Sequence, residues 1–176
     1  MWVLARPMTG FSETFSHYLV ETTAGGGSDT PENDASAEAV IFVTGGTLRL
    51  TIDGTAHDMV AGGYAFVPAG AAWSLHATGS TPAVWHWIRK RYVPAEGVSA
   101  PDAFVTSDAD ASPIPMPDCD GLWATTRFVD PADMRHDMHV NIVTFQPGGT
   151  IPFAETHVME HGLFVLSGKA VYHLNQ

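Results

Sequence analysis

The chain has 176 residues, 45% of them hydrophobic and only 15% charged, which is ample material for a core and excludes global disorder. A formal net charge of −11 argues against a nucleic-acid partner, because phosphate binding needs clustered Lys and Arg. Cys119 is the one cysteine, so no internal disulfide framework and no thiolate zinc cluster is available, and it reads as a small, partly buried hydrophobe. No apolar run approaches the ~20 residues that span a bilayer. The start, Met1-Trp2-Val3-Leu4-Ala5-Arg6-Pro7, lacks the basic-then-apolar pattern of a secretory signal. A soluble, cytoplasmic protein with no membrane partner is the expectation.

In chain order, residues 15–22 read as a strand closed by Ala24-Gly25-Gly26-Gly27-Ser28, and residues 29–36 as a polar loop. Residues 39–44 form a strand entering the Gly45-Gly46 turn. Leu48, Leu50 and Ile52 then alternate on one face, and Asp53-Gly54 is a strong hairpin signal. Residues 62–67, 73–77 and 83–89 complete a series of short strands separated by Gly and Pro, the rhythm of an all-β sandwich or barrel. Residues 94–117 carry Pro94, Pro101, Pro113, Pro115 and Pro117 and read as a crossover, with residues 104–106 able to pair as an edge. Strand patterns resume at 123–128 and 138–145, with a short helical turn expected at Asp130-Pro131-Ala132-Asp133. The organisation expected is an N-terminal unit over 1–93, a crossover over 94–120 and a second β unit over 121–176.

The chemistry concentrates near the C-terminus. Glu155, His157 and His161 share one parity, so an extended segment would turn all three side chains to one side. Pro147-Gly148-Gly149 supplies a turn before them, and Leu163-Phe164-Val165-Leu166, closed by Ser167-Gly168, reads as a short buried strand after them. The two histidines are also four apart, a spacing that would suit one face of a helix. Two neutral imidazoles and a carboxylate suit manganese, iron(II), nickel or zinc. Glu160, of opposite parity, is expected to point away from the metal, and Met159 to line the pocket.

The same pattern has an upstream counterpart. Gly149, Glu155, His157, His161 and Gly168 fall onto Gly26, Glu32, Asp34, Glu38 and Gly45 at one constant displacement. The upstream triplet is all carboxylate; without a cation three converging carboxylates would repel, so a solvated loop with no metal is expected there.

The pattern Gly-x5-ligand-x-ligand-x3-ligand-x6-Gly is similar to the first cupin motif, and Gly62 through Pro68 and Gly70 resemble the second, with Trp73 at its histidine position. The N-terminal unit therefore looks like a cupin whose metal site is lost. With Glu155, His157 and His161 in the C-terminal half, Lys90-Arg91-Tyr92-Val93-Pro94-Ala95-Glu96-Gly97 after the first unit and Met138-His139-Val140 entering the second, the chain resembles the two-cupin (S)-ureidoglycine aminohydrolases over most of its length. That resemblance implies double-stranded β-helix barrels, manganese as cofactor, and hydrolysis of (S)-ureidoglycine to (S)-ureidoglycolate and ammonia in purine catabolism. It also implies catalytic roles for Glu155 and Tyr172, a small-molecule substrate as partner, and a homo-oligomer at full length.

By the repeat, Gln176 falls onto Asp53, so the counterpart of residues 54–87 is absent from the second copy. The expectation is a fragment of a longer bicupin with its second barrel incomplete. The family's fourth ligand, a glutamine, would lie in that missing part, leaving weak metal binding and little turnover. His136 and His139 are expected to be strand or loop residues more than pocket lining. The competing readings are a non-haem iron oxygenase, which uses the same ligand set, and a non-catalytic small-molecule-binding cupin.

Overall fold

The structure is a computed structural model that describes residues 1–7, 14–155 and 157–173. Among these residues there are thirteen strands and no helix, the all-β architecture expected. Strands β1 (Trp2–Ala5), β2 (Phe15–Thr22), β4 (Ala37–Gly45), β7 (Gly63–Val67), β9 (Ala83–Arg91) and β10 (Phe104–Ser107) form one antiparallel sheet in the order β1-β2-β9-β4-β7-β10. Strands β3 (Gly27–Ser28), β5 (Thr47–Ile52), β6 (Thr55–Val60) and β8 (Trp73–Ala77) form a second, ordered β3-β8-β5-β6. The two sheets enclose a core of Ile41, Val43, Leu48, Leu50, Ile52, Met59, Val67, Leu75 and Trp85. Trp73, at the second motif's histidine position, is part of that core and meets the edge of Trp87.

The hairpin signal at Asp53-Gly54 joins β5 to β6, and both residues have positive φ (46° and 83°), as a two-residue turn between twisted strands requires. At Gly46 a Cβ would sit 2.5 Å from the Pro82 carbonyl oxygen, so only glycine lets the β4–β5 turn pass so close to β9.

The central strands β4 and β7 of the large sheet are buried on both faces, which is why β4 reads as a continuous apolar run. Odd-numbered residues of β4 face the barrel interior, while Val40 and Phe42 join Tyr64, Phe66 and Ile88 in a second cluster outside it. That outer cluster is covered by Phe104, Phe128, Met138, Val140 and Ile142. Within the Pro-rich stretch, β10 adds to the edge of the large sheet through β7, as the edge reading of residues 104–106 anticipated. Strands β11 (Ile114–Pro115), β12 (Trp123–Arg127) and β13 (Asn141–Phe145) make a separate three-stranded sheet.

Two expectations need correction. Asp130 to Asp133 forms a hydrogen-bonded turn, with Ala132 N–H donating to Asp130 Oδ1 (2.9 Å), and does not grow into a helical turn. The run Leu163-Phe164-Val165-Leu166 is neither a strand nor buried, its residues being 40–67% exposed. An apolar run becomes a buried strand only where neighbours pair with it. In the upstream copy the corresponding β4 is flanked by β7 and β9, and no described strand plays those parts for residues 163–166. No helix among the described residues is long and apolar enough to cross a membrane.

Candidate metal centre

Strand β13 ends at Phe145, and the chain turns through Gln146-Pro147-Gly148, with Gly149 N–H donating to the Gln146 carbonyl (2.8 Å). Gly149 is pressed so closely on the β12 side that a Cβ would lie 2.5 Å from the Leu122 carbonyl oxygen. Beyond it the described residues form no regular secondary structure, so neither the strand nor the helix geometry for Glu155, His157 and His161 is seen among them. The three are nevertheless brought together. One ligand atom from each lies within 4.8 Å of the others, and the two imidazole centroids are 4.3 Å apart.

His157 Nδ1 lies 3.0 Å from the Met159 carbonyl oxygen. A carbonyl can only accept, so Nδ1 carries the proton and the Nε2 lone pair is left for a cation. Ligands 2.0–2.2 Å from one ion in tetrahedral or octahedral geometry stand about 3–3.6 Å apart, so closure asks each donor atom to move inward by up to about an ångström in an exposed segment. The residues fit a divalent cation held by two nitrogens and one oxygen.

The other candidates are placed differently. Tyr172 is 56% exposed and makes no hydrogen bond or ring contact with another described residue. Met159 is also exposed, at 68%. Glu160 turns towards the first barrel, where its Oε2 accepts from the backbone N–H (2.9 Å) and the hydroxyl of Thr14. His136 is packed edge-on against Phe66 at 4.7 Å and lines a surface cavity of about 300 Å³ with Phe104, Phe128 and Arg135, a lining that includes none of the three ligands. His139 is exposed beside it.

The upstream copy is not the solvated loop expected. Glu32 has a side chain only 9% exposed; its carboxylate accepts from the N–H groups of Asn33 (3.0 Å) and Asp34 (2.9 Å) and pairs with Arg89 Nε. Asp34 accepts from the backbone and hydroxyl of Ser36, and these bonds hold its carboxyl below the usual range. Glu38 belongs to β4 and points to the opposite face of the sheet, 1% exposed. The triplet therefore does not converge. Arg89 was the residue that sequence reasoning passed over: it shares parity with Trp85 and Trp87 on β9, so it faces inward and must meet an acid.

Glu38 opens the outer face to a buried polar network. It stands opposite Lys90 in the β4–β9 register, and Lys90 Nζ donates to Asp137 Oδ2 at 2.9 Å. Burial, and a hydrogen bond shared with Asp137, push the Glu38 carboxyl up to about 9. Burial alone would raise Asp137 too, but hydrogen bonds from Glu38, Lys90 and the Val93 N–H hold it low. The pair thus shares one proton, carried by Glu38. Nearby on the same face, His17 Nε2 and His86 Nδ1 are 2.9 Å apart, and burial followed by repulsion from His86 lowers His17 to about 4. Phe164 lies edge-on to His86 at 4.6 Å.

Comparison with known proteins now defines the class. Residues 18–89 match the family model for the cupin domain, and with the two-sheet barrel this establishes a cupin β-barrel fold and supports the cupin family. Over 173 residues the chain is 29% identical to (S)-ureidoglycine aminohydrolase of Escherichia coli, a match that takes in 98% of this chain and 64% of that protein. A Pseudomonas aeruginosa protein described as glyoxylate-induced superposes with a TM-score of 0.83 at 59% identity, over 90% of this chain and 59% of that one. The Escherichia coli protein YlbA superposes with a TM-score of 0.75 at 25% identity, over 89% and 60%. The chain thus spans less than two thirds of the length of each of these relatives.

Proposed function

We propose that this chain carries the metal-binding part of a manganese-dependent (S)-ureidoglycine aminohydrolase. The observation that carries the reading is the approach of Glu155, His157 and His161 donor atoms to within 4.8 Å in a chain 29% identical to an enzyme of that name. The description of the Pseudomonas aeruginosa relative as glyoxylate-induced is in keeping with it, since ureidoglycine has the two-carbon skeleton of glyoxylate.

A bound manganese ion would polarise water and fix the amine and carboxylate of the substrate in one orientation. The imidazoles of His157 and His161 and one oxygen of Glu155 would hold it. With one oxygen given to the ion, the second oxygen of Glu155 would be left to accept a proton from the attacking water. Tyr172, on reaching the site, would donate its hydroxyl proton to a carboxylate or ureido oxygen of the substrate. The substrate is a small molecule, and the full-length protein is expected to be a homo-oligomer. The upstream copy takes no metal in this reading, because Arg89 already neutralises Glu32.

The test follows ammonia from freshly generated ureidoglycine with this chain extended to complete its second barrel, and with the Escherichia coli enzyme as the positive control. Release that requires manganese and disappears with chelator and with His157→Ala supports the reading. Two histidines and one carboxylate also make the facial ligand set of iron(II) oxygenases. Oxygen consumption with iron(II), and no ammonia with manganese, would replace the hydrolase by that reading.

A further inference from the structure

The described residues of the ligand-bearing segment belong to no strand or helix, so something else must fix their position. Immediately after His157 its contacts with the first barrel fall on alternate residues. Glu160 Oε2 accepts from both donors of Thr14, 146 residues away in the chain. Gly162 lies against the Phe15 ring so closely that a Cβ would be 3.0 and 3.1 Å from two ring carbons. Phe164 meets His86 and His17. Period-two contact is what an extended chain laid on a surface produces, and it leaves the residue between 160 and 162, the ligand His161, on the other side.

The surface that receives these contacts adjoins the large sheet. Thr14 directly precedes Phe15, which is 9% exposed and paired with Lys90 of β9 in the large sheet. Two donors from one residue, converging on one carboxylate oxygen, tie Glu160 to that surface and with it the backbone of the adjoining ligand. We propose that Glu160 is a positioning residue for the metal centre, and that metal affinity at Glu155, His157 and His161 is coupled through Thr14 to the N-terminal barrel. The proposal rests on the metal reading given above. It makes the first barrel, which has no metal of its own in that reading, the platform on which the second motif is assembled.

The experiment is Mn²⁺ binding to the 176-residue chain, followed by the EPR signal of free manganese, for wild type, Glu160→Ala, Thr14→Val, the double variant and Thr14→Ser, with circular dichroism confirming the fold. Removing a group that orients a ligand weakens metal binding by about 10-fold. Glu160→Ala and Thr14→Val should each do so, the double variant should be no weaker than either, and Thr14→Ser, which keeps both donors, should bind like wild type. Unchanged affinity in Glu160→Ala and Thr14→Val, or losses that simply multiply in the double variant, would overturn the coupling while leaving the metal site standing. Binding that survives His157→Ala, or no binding by wild type, would overturn the metal reading and the coupling with it. Should Glu160→Ala fail to fold, Thr14→Val against wild type decides alone, since valine differs from threonine only in a methyl group in place of the hydroxyl.

Discussion

Replacing Glu38 with Gln should make the protein more stable at alkaline pH. Glu38 is 1% exposed, and its carboxyl is raised to about 9 by burial and by the bond shared with Asp137. In the unfolded chain the same group ionises near 4.5. A folded state that keeps a proton the unfolded state has lost is penalised as pH rises, by about 1.4 kcal/mol per unit between the two values. The sign is therefore that this group's contribution is complete below pH 4.5 and drains away up to about 9. His17 works the other way, since its lowered value costs stability as pH falls from 6.5 towards 4. The clean window lies above the histidine, from about pH 6.5 to 8, where wild type should lose about 2 kcal/mol relative to Glu38→Gln. A glutamine mimics the protonated acid in shape and can donate to Asp137 through its amide. The assay is urea unfolding of both proteins at pH 6.5, 7.2 and 8.0, where a 2 kcal/mol change shifts the midpoint by about 1 M. A gap between the two proteins that stays constant across this window would refute the shared-proton assignment.

Arg89→Ala should destabilise the fold by about 2–3 kcal/mol, less than for a fully buried pair because Arg89 is partly exposed, and adding Glu32→Gln should recover part of the loss. Equal stability of Arg89→Ala and wild type in denaturant would show that the pair is only incidental. His17 should remain neutral down to about pH 4 in a histidine NMR titration, because burial and His86 oppose its charge; a midpoint near 6.5 would contradict the packing described. His157→Ala should abolish manganese retention after dialysis, measured by elemental analysis, while Glu32→Gln leaves it unchanged. Loss of metal in Glu32→Gln would move the site to the first barrel.

The first barrel was legible because each of its signals is local. Alternation at Leu48, Leu50 and Ile52 and the turn at Asp53-Gly54 need no knowledge of distant residues. The return strand β6 has no period of its own, with only Met59 buried, and follows from the turn alone. Strand β1 is harder still. Trp2, Val3 and Leu4 are all apolar yet 39–54% exposed at a sheet edge, so no alternation marks them. The spacing of Glu155, His157 and His161 picked out a triplet whose donors do approach one another, but for a reason other than strand parity. What brings the segment to its place is Thr14, Phe15 and His86, all more than 70 residues away, and nothing in the segment announces those contacts.

The two copies of the motif show why identical spacing does not carry identical chemistry. Three carboxylates held near one point repel unless a cation neutralises them, and the upstream copy resolves that repulsion in three separate ways. Glu32 takes an internal guanidinium from Arg89, Asp34 takes hydrogen bonds from Ser36, and Glu38 faces away and keeps its proton beside Asp137. Each solution uses up the lone pairs or the charge that a metal would need. The downstream copy has two imidazoles in place of two of those carboxylates. Neutral rings can stand 4.3 Å apart without such repulsion, each with one nitrogen free to act as a ligand. Restoring histidines at positions 34 and 38 would therefore not recreate a metal site upstream, because residue 38 would still face the outer cluster and Arg89 would still hold Glu32.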